Sequence, residues 1–108
     1  MALKLIYTTL PSRTVAEEVA TRLVEARLAA CGNILPAHLA IYEWEGGIAR
    51  TEEVILLLKT TDDRATALMD RLRADHPYDV PAILVLPVEA ADTAFATWVT
   101  EQTAHPVE

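Results

Sequence analysis

The apolar residues of this chain shift their spacing from two to nearly four and back, twice over, and few folds accept that order. Residues 3–9, LKLIYTT, alternate well enough for a first strand. Pro11 follows, Ser12 or Thr14 stands where a helix cap belongs, and Glu17 is placed to complete a capping box with Thr14. Val15, Ala16, Val19, Ala20, Leu23 and Val24 then share one helical face, opposite Glu17, Glu18, Thr21, Arg22 and Glu25. This helix is expected to reach about residue 30 and to close at Gly32 and Asn33.

The segment 34–45, ILPAHLAIYEWE, reads as one long strand, with Leu39 and Ile41 on one face and Tyr42 and Trp44 on the other. Gly46 and Gly47 give a two-residue hairpin signal. The returning strand carries Val54 to Leu58, VILLL, apolar without alternation, as expected of a strand buried on both faces. Asp62 stands at the cap of a second helix with Ala65, Leu68, Met69 and Leu72 as its stripe, and Pro77 ends it. Residues 80–88, VPAILVLPV, form the last strand. Asp92 or Thr93 opens a final helix with Phe95, Trp98 and Val99 facing inward.

The order is β-α-β-β-α-β plus a C-terminal helix: an α+β, ferredoxin-like arrangement with a four-stranded antiparallel sheet. Right-handed crossovers place both main helices on one sheet face. The other face receives apolar side chains from VILLL and AILVL, and one short helix cannot cover four strands. The pattern therefore predicts a homo-oligomer.

With 108 residues the chain is expected to be one domain, 1–108. No apolar run approaches the roughly 18–20 residues that span a bilayer. The opening MALKLIYTTL lacks a small-residue cleavage site and is not read as a signal peptide. A single cysteine cannot form an internal disulfide, which favours the cytoplasm. The net charge of −7, with scattered acids, argues against nucleic acid as a partner. One cysteine also excludes an iron–sulfur carrier and a Cys-x-x-Cys metallochaperone. The chain has no Gly-rich phosphate loop, nucleophile elbow or His-Glu-x-x-His helix, and no nucleophile with a base can be named, so it is not read as an enzyme.

Most of the candidate site residues carry two readings. In HPYDVP, 76–81, His76 is either a helix-end imidazolium favoured by the macrodipole or a metal ligand. Asp79, three residues on, either caps the turn or offers the same ion an oxygen. Tyr78 is a wedge between them. Cys31 behaves as a small hydrophobe or as a thiolate ligand. His38 is read as a surface or interface residue. Lys59 either snorkels from a strand end or reaches an anion. Tyr42 and Trp44 are subunit packing or a ligand platform.

Six stretches taken in order, YTTLPS (7–12), RLAACGNILP (27–36), IYEWEGGI (41–48), EEVILLLKTT (52–61), HPYDVPAILVLPV (76–88) and WVTEQT (98–103), resemble the CutA divalent-cation tolerance family. The resemblance implies a compact cytoplasmic homotrimer whose long strands pair between subunits, and a role in tolerance to copper(II) or another divalent cation. It implies His76, Asp79 and Cys31 as metal-site residues. It also implies a cleft between subunits at Lys59, Tyr42, Trp44 and Tyr78, similar to that of the PII-type signalling trimers, which could take a small anionic ligand. Three residues depart from the family pattern. Asp79 replaces a glutamate and shortens that carboxylate's reach, Gly32 replaces a valine, and Ala40 replaces a serine.

Overall fold

The computed structural model describes residues 2–104. Its elements are β1 (Leu3–Leu10), α1 (Arg13–Glu25), β2 (Cys31–Ile34), β3 (His38–Trp44), β4 (Gly47–Thr61), α2 (Asp62–Asp75), β5 (Ile83–Pro87) and α3 (Thr93–Gln102). The main sheet runs β2-β4-β1-β5 with every pair antiparallel, and β3 pairs with β4 alone. This is the expected ferredoxin-like topology, with the long middle strand divided in two.

Pro36 marks that division. It has no N–H for a ladder, and residues 35–37 leave the strand. β2 therefore pairs with the second half of β4 (Cys31 opposite Lys59) and β3 with the first half (His38 opposite Glu53). The turn that joins β3 to β4 also differs from expectation. Trp44 pairs with Gly47, and Glu45 and Gly46 are the central residues, with φ of 50° and 82°. Two positive φ values in succession match the twist of a type I′ turn. The loop is Glu45-Gly46, not Gly46-Gly47.

Helix α1 begins at Ser12, whose Oγ accepts from the Val15 N–H at 3.2 Å. It stops at Glu25, well before residue 30, because Arg27 takes the left-handed conformation at φ 59°. The Leu28 N–H then reaches the Leu23 carbonyl and the Arg27 N–H the Val24 carbonyl, the bond pair of a Schellman stop. Arginine stands where glycine is usual, so composition gave no sign of it. Thr61, not Asp62, holds the N-cap position of α2, without a side-chain cap bond, and Asp62 and Asp63 lie inside the first turn, where carboxylates complement the positive helix end.

One face of the sheet is sealed. Ile6, Leu10, Leu56 and Leu58 pack against Val19 and Leu23 of α1 and Leu68 and Leu72 of α2. Val24, read as part of the buried stripe, is instead exposed. The opposite face carries Leu5, Tyr7, Ile55, Leu57, Leu84 and Leu86, placed together by register. Val54 to Leu58 thus alternate between buried and half-buried, so β4 is not covered on both faces. Helix α3 covers only one end of this second face, where Val99 meets Leu3 and Ala30. Phe95 and Trp98, expected to face inward, remain about 40% exposed within the chain.

Candidate functional site

Where the β3–β4 hairpin leaves the main sheet, a cleft of about 640 Å³ opens. The β3–β4 register puts His38, Tyr42 and Trp44 on the same side as Thr51 and Glu53. The connection from α2 to β5 forms the opposite wall, a bent segment over residues 77–80 with Pro77 and Pro81 on either side of Tyr78 and Asp79. Three aromatic residues (Tyr42, Trp44, Tyr78) and two acidic ones (Glu53, Asp79) line it, with Glu52 contributing from a strand position whose side chain belongs to the other face, and no Lys, Arg or His is among the lining residues.

Glu53 is the buried member of this group, at 9% exposure. The Tyr78 hydroxyl lies near enough to this carboxylate for the two to interact. Burial, and then the neighbouring Glu53 carboxylate, raise the phenol well above its ordinary pKa, so Tyr78 stays neutral. Among the described residues no ion pair involves Glu53. His38 lies opposite it across the hairpin, with Nδ1 buried and without a hydrogen-bond partner among the described residues.

His76 sits behind the cleft, with both ring nitrogens engaged. Its Nδ1 accepts from the Tyr78 backbone N–H at 3.1 Å, which leaves the ring proton on Nε2. That N–H donates to the Thr9 carbonyl at 2.9 Å, with Thr8 Oγ1 also 3.1 Å away. Burial lowers the pKa of His76, opposed by the bond to Thr9 and by the Glu53 charge. The expected helix-end imidazolium is therefore a neutral imidazole, and His76 is the C-cap of α2 rather than part of its last turn.

Cys31 and Lys59 lie elsewhere. They face each other across β2 and β4, and Lys59 Nζ donates to Asn33 Oδ1. Six residues of strand separate Lys59 from Glu53, about 20 Å at strand rise. Of the eight residues the sequence singled out, Tyr42, Trp44, Tyr78 and Asp79 line the cleft, and His38 stands beside it opposite Glu53. His76 supports it, and Cys31 and Lys59 stand at the far end of the same sheet face. Among the described residues no three His, Cys, Asp or Glu side chains converge as a metal site. Sequence reasoning missed Glu53. Its signal was parity, since it precedes Ile55 and Leu57 at strand period and shares their face.

Comparison with known proteins places this geometry. The family model described as CutA1 divalent ion tolerance protein matches residues 4–102. The divalent-cation tolerance protein CutA of Thermus thermophilus is 41% identical over 100 residues, which cover 93% of this chain and 97% of that protein. Human protein CutA is 41% identical over 97 residues, 90% of this chain but 54% of the human one. The solved structure of the periplasmic divalent cation tolerance protein CutA from Archaeoglobus fulgidus is 34% identical. It superposes with a TM-score of 0.90 and covers 94% of this chain and 99% of that one.

Proposed function

The chain belongs to the CutA1 divalent ion tolerance family, and on that premise we propose that it acts by binding, without catalysis, as a cytoplasmic homotrimer. Copper(II) or another divalent ion is held where subunits meet. The observation that carries this reading is the uncovered sheet face. It bears Leu57 and Leu84 in its middle, Glu53 at one end and Cys31 at the other. A second copy that covers the apolar centre also brings Cys31 of one chain toward the acidic cleft of the next, supplying ligands that one chain does not gather.

Donor chemistry ranks the ligands. Asp79 is exposed and offers its carboxylate without breaking any bond described above. His76 joins only by giving up its bond to the Tyr78 amide or to the Thr9 carbonyl. Imidazole and thiolate would favour copper or zinc over magnesium. Lys59 supports a second ligand class, a small anion, at a place of its own beside Asn33 and not in the acidic cleft. The single thiol supports a reducing compartment, and cell fractionation decides between that and the periplasm described for the Archaeoglobus relative.

Native mass spectrometry of chelator-stripped protein, titrated with copper(II) and zinc(II), tests the reading. A trimer that saturates at a fixed metal count, with Asp79→Asn lowering that count, supports it. A trimer that takes up metal without saturation refutes the site.

A further inference from the structure

We propose that α3 is a hinged strap across one end of the second sheet face, and that the Arg27 guanidinium is the latch on its far end. The strap is a property of the single chain and does not rest on the divalent-ion reading. Of the ten residues of α3 only Val99 is buried, and it meets Leu3 and Ala30 in a small cluster apart from the main core. A helix this short is marginal by itself, and so little apolar contact holds it weakly. Polar ties at its two ends therefore count. On the entering side, the Val88 N–H donates to the Leu3 carbonyl at 3.3 Å. On the far side the tie is to Gln102.

The last four carbonyls of a helix have no partner within it. In α3 those of Val99, Thr100 and Glu101 accept from Thr103 and Ala104. That of Gln102 accepts from Arg27 Nη1 at 3.3 Å. The last turn of α3 has no basic residue and carries Glu101, whose charge opposes the negative helix end. Arg27 supplies the missing cation from another element. Its backbone is a firm anchor, because Arg64 Nε of α2 donates to the Arg27 carbonyl at 3.4 Å and the Thr60 hydroxyl to the Leu28 carbonyl at 2.7 Å. At φ 59° a glycine would end α1 without strain, whereas arginine bears a steric cost. The tie to α3 offsets that cost. One residue thus ends α1, touches α2 and holds α3. Opening the latch adds Leu3 and Ala30, each 5% exposed beside α3, to the apolar face.

The test is hydrogen exchange of the full, assembled protein, read by mass spectrometry in Arg27→Gly and Arg27→Lys. Glycine suits the left-handed stop, so Arg27→Gly keeps the fold and is expected to leave exchange in α1 unchanged or slower. In the same variant residues 93–102 are expected to exchange roughly threefold to tenfold faster, the scale of one net hydrogen bond. Arg27→Lys keeps a cation beside the helix end and is expected to restore part of that protection. A residue that merely supported the fold would move α1 and α3 together, and equal acceleration of both overturns the proposal. Unchanged exchange over 93–102 in Arg27→Gly overturns it too, and means that Val99 or a neighbouring copy holds the helix without the latch.

Discussion

The backbone N–H of Tyr78 donates to Nδ1 of His76 at 3.1 Å, and this one bond fixes the tautomer and the charge of the ring. A proton on Nδ1 would meet that N–H head on, so the folded protein holds the imidazole neutral. The pKa of His76 is accordingly lowered from 6.5, chiefly by burial. A base depressed in the folded state is protonated first in the unfolded one. Its contribution is complete above about pH 6.5 and is lost as the pH falls through the folded value. Thermal melts should therefore show stability declining below pH 6.5, and His76→Gln should flatten that slope while costing about 1–2 kcal/mol at pH 8. An identical slope in the variant would assign the decline to other groups.

The hairpin turn is improvable. Glu45 occupies a left-handed position that a side chain with a Cβ enters at a cost, and asparagine tolerates it far better. Glu45→Asn is expected to raise stability by roughly 0.5–1 kcal/mol in denaturant unfolding. Gly46→Ala, at φ 82°, should lower it by a similar amount.

Gly32 lies on the sheet face that α1 covers, close to Ala20. A Cβ added there would stand 3.1 Å from Leu58 Cδ2, 3.2 Å from Leu56 Cδ1 and 3.6 Å from Ala20 Cβ. The two leucine ends can turn aside for one methyl group but have no room for a branched side chain. Gly32→Val, the residue the family pattern favours, should cost about 1–3 kcal/mol in this background by overpacking. Shrinking Leu56 to Val in the same chain should recover part of that loss, a coupling that a double-mutant cycle measures.

The fold was legible because it rests on periodicity. The strand–helix order follows from apolar spacing, and so does the exposed second face, since a two-helix, one-sheet layer leaves Leu57 and Leu84 outward. What composition hid were stops and turns made by unusual residues: Arg27 in place of a C-terminal glycine, and Glu45 ahead of Gly46. The site was half legible. Tyr42, Trp44, Tyr78 and Asp79 do meet, though they are far apart in sequence. Glu53 was overlooked because strand parity gives its face, shared with Ile55 and Leu57, but not its burial, which depends on β4 passing from one pairing partner to another. The charge of His76 was misread for a similar reason. It is decided by bonds to Thr9 and Tyr78 and not by the helix end.

The most direct test of the account is native mass spectrometry of Leu57→Asp, with circular dichroism as a check that the chain is folded. Leu57 is half-buried at the centre of the uncovered face, so a carboxylate there should block another copy and leave the subunit's own core intact. The account predicts a folded monomer that no longer takes up copper(II) to a fixed count, with assembly and the metal site lost together. A variant that still assembles would show that the subunits meet elsewhere. A folded monomer that keeps the full metal count would contradict the claim that the site is shared between copies.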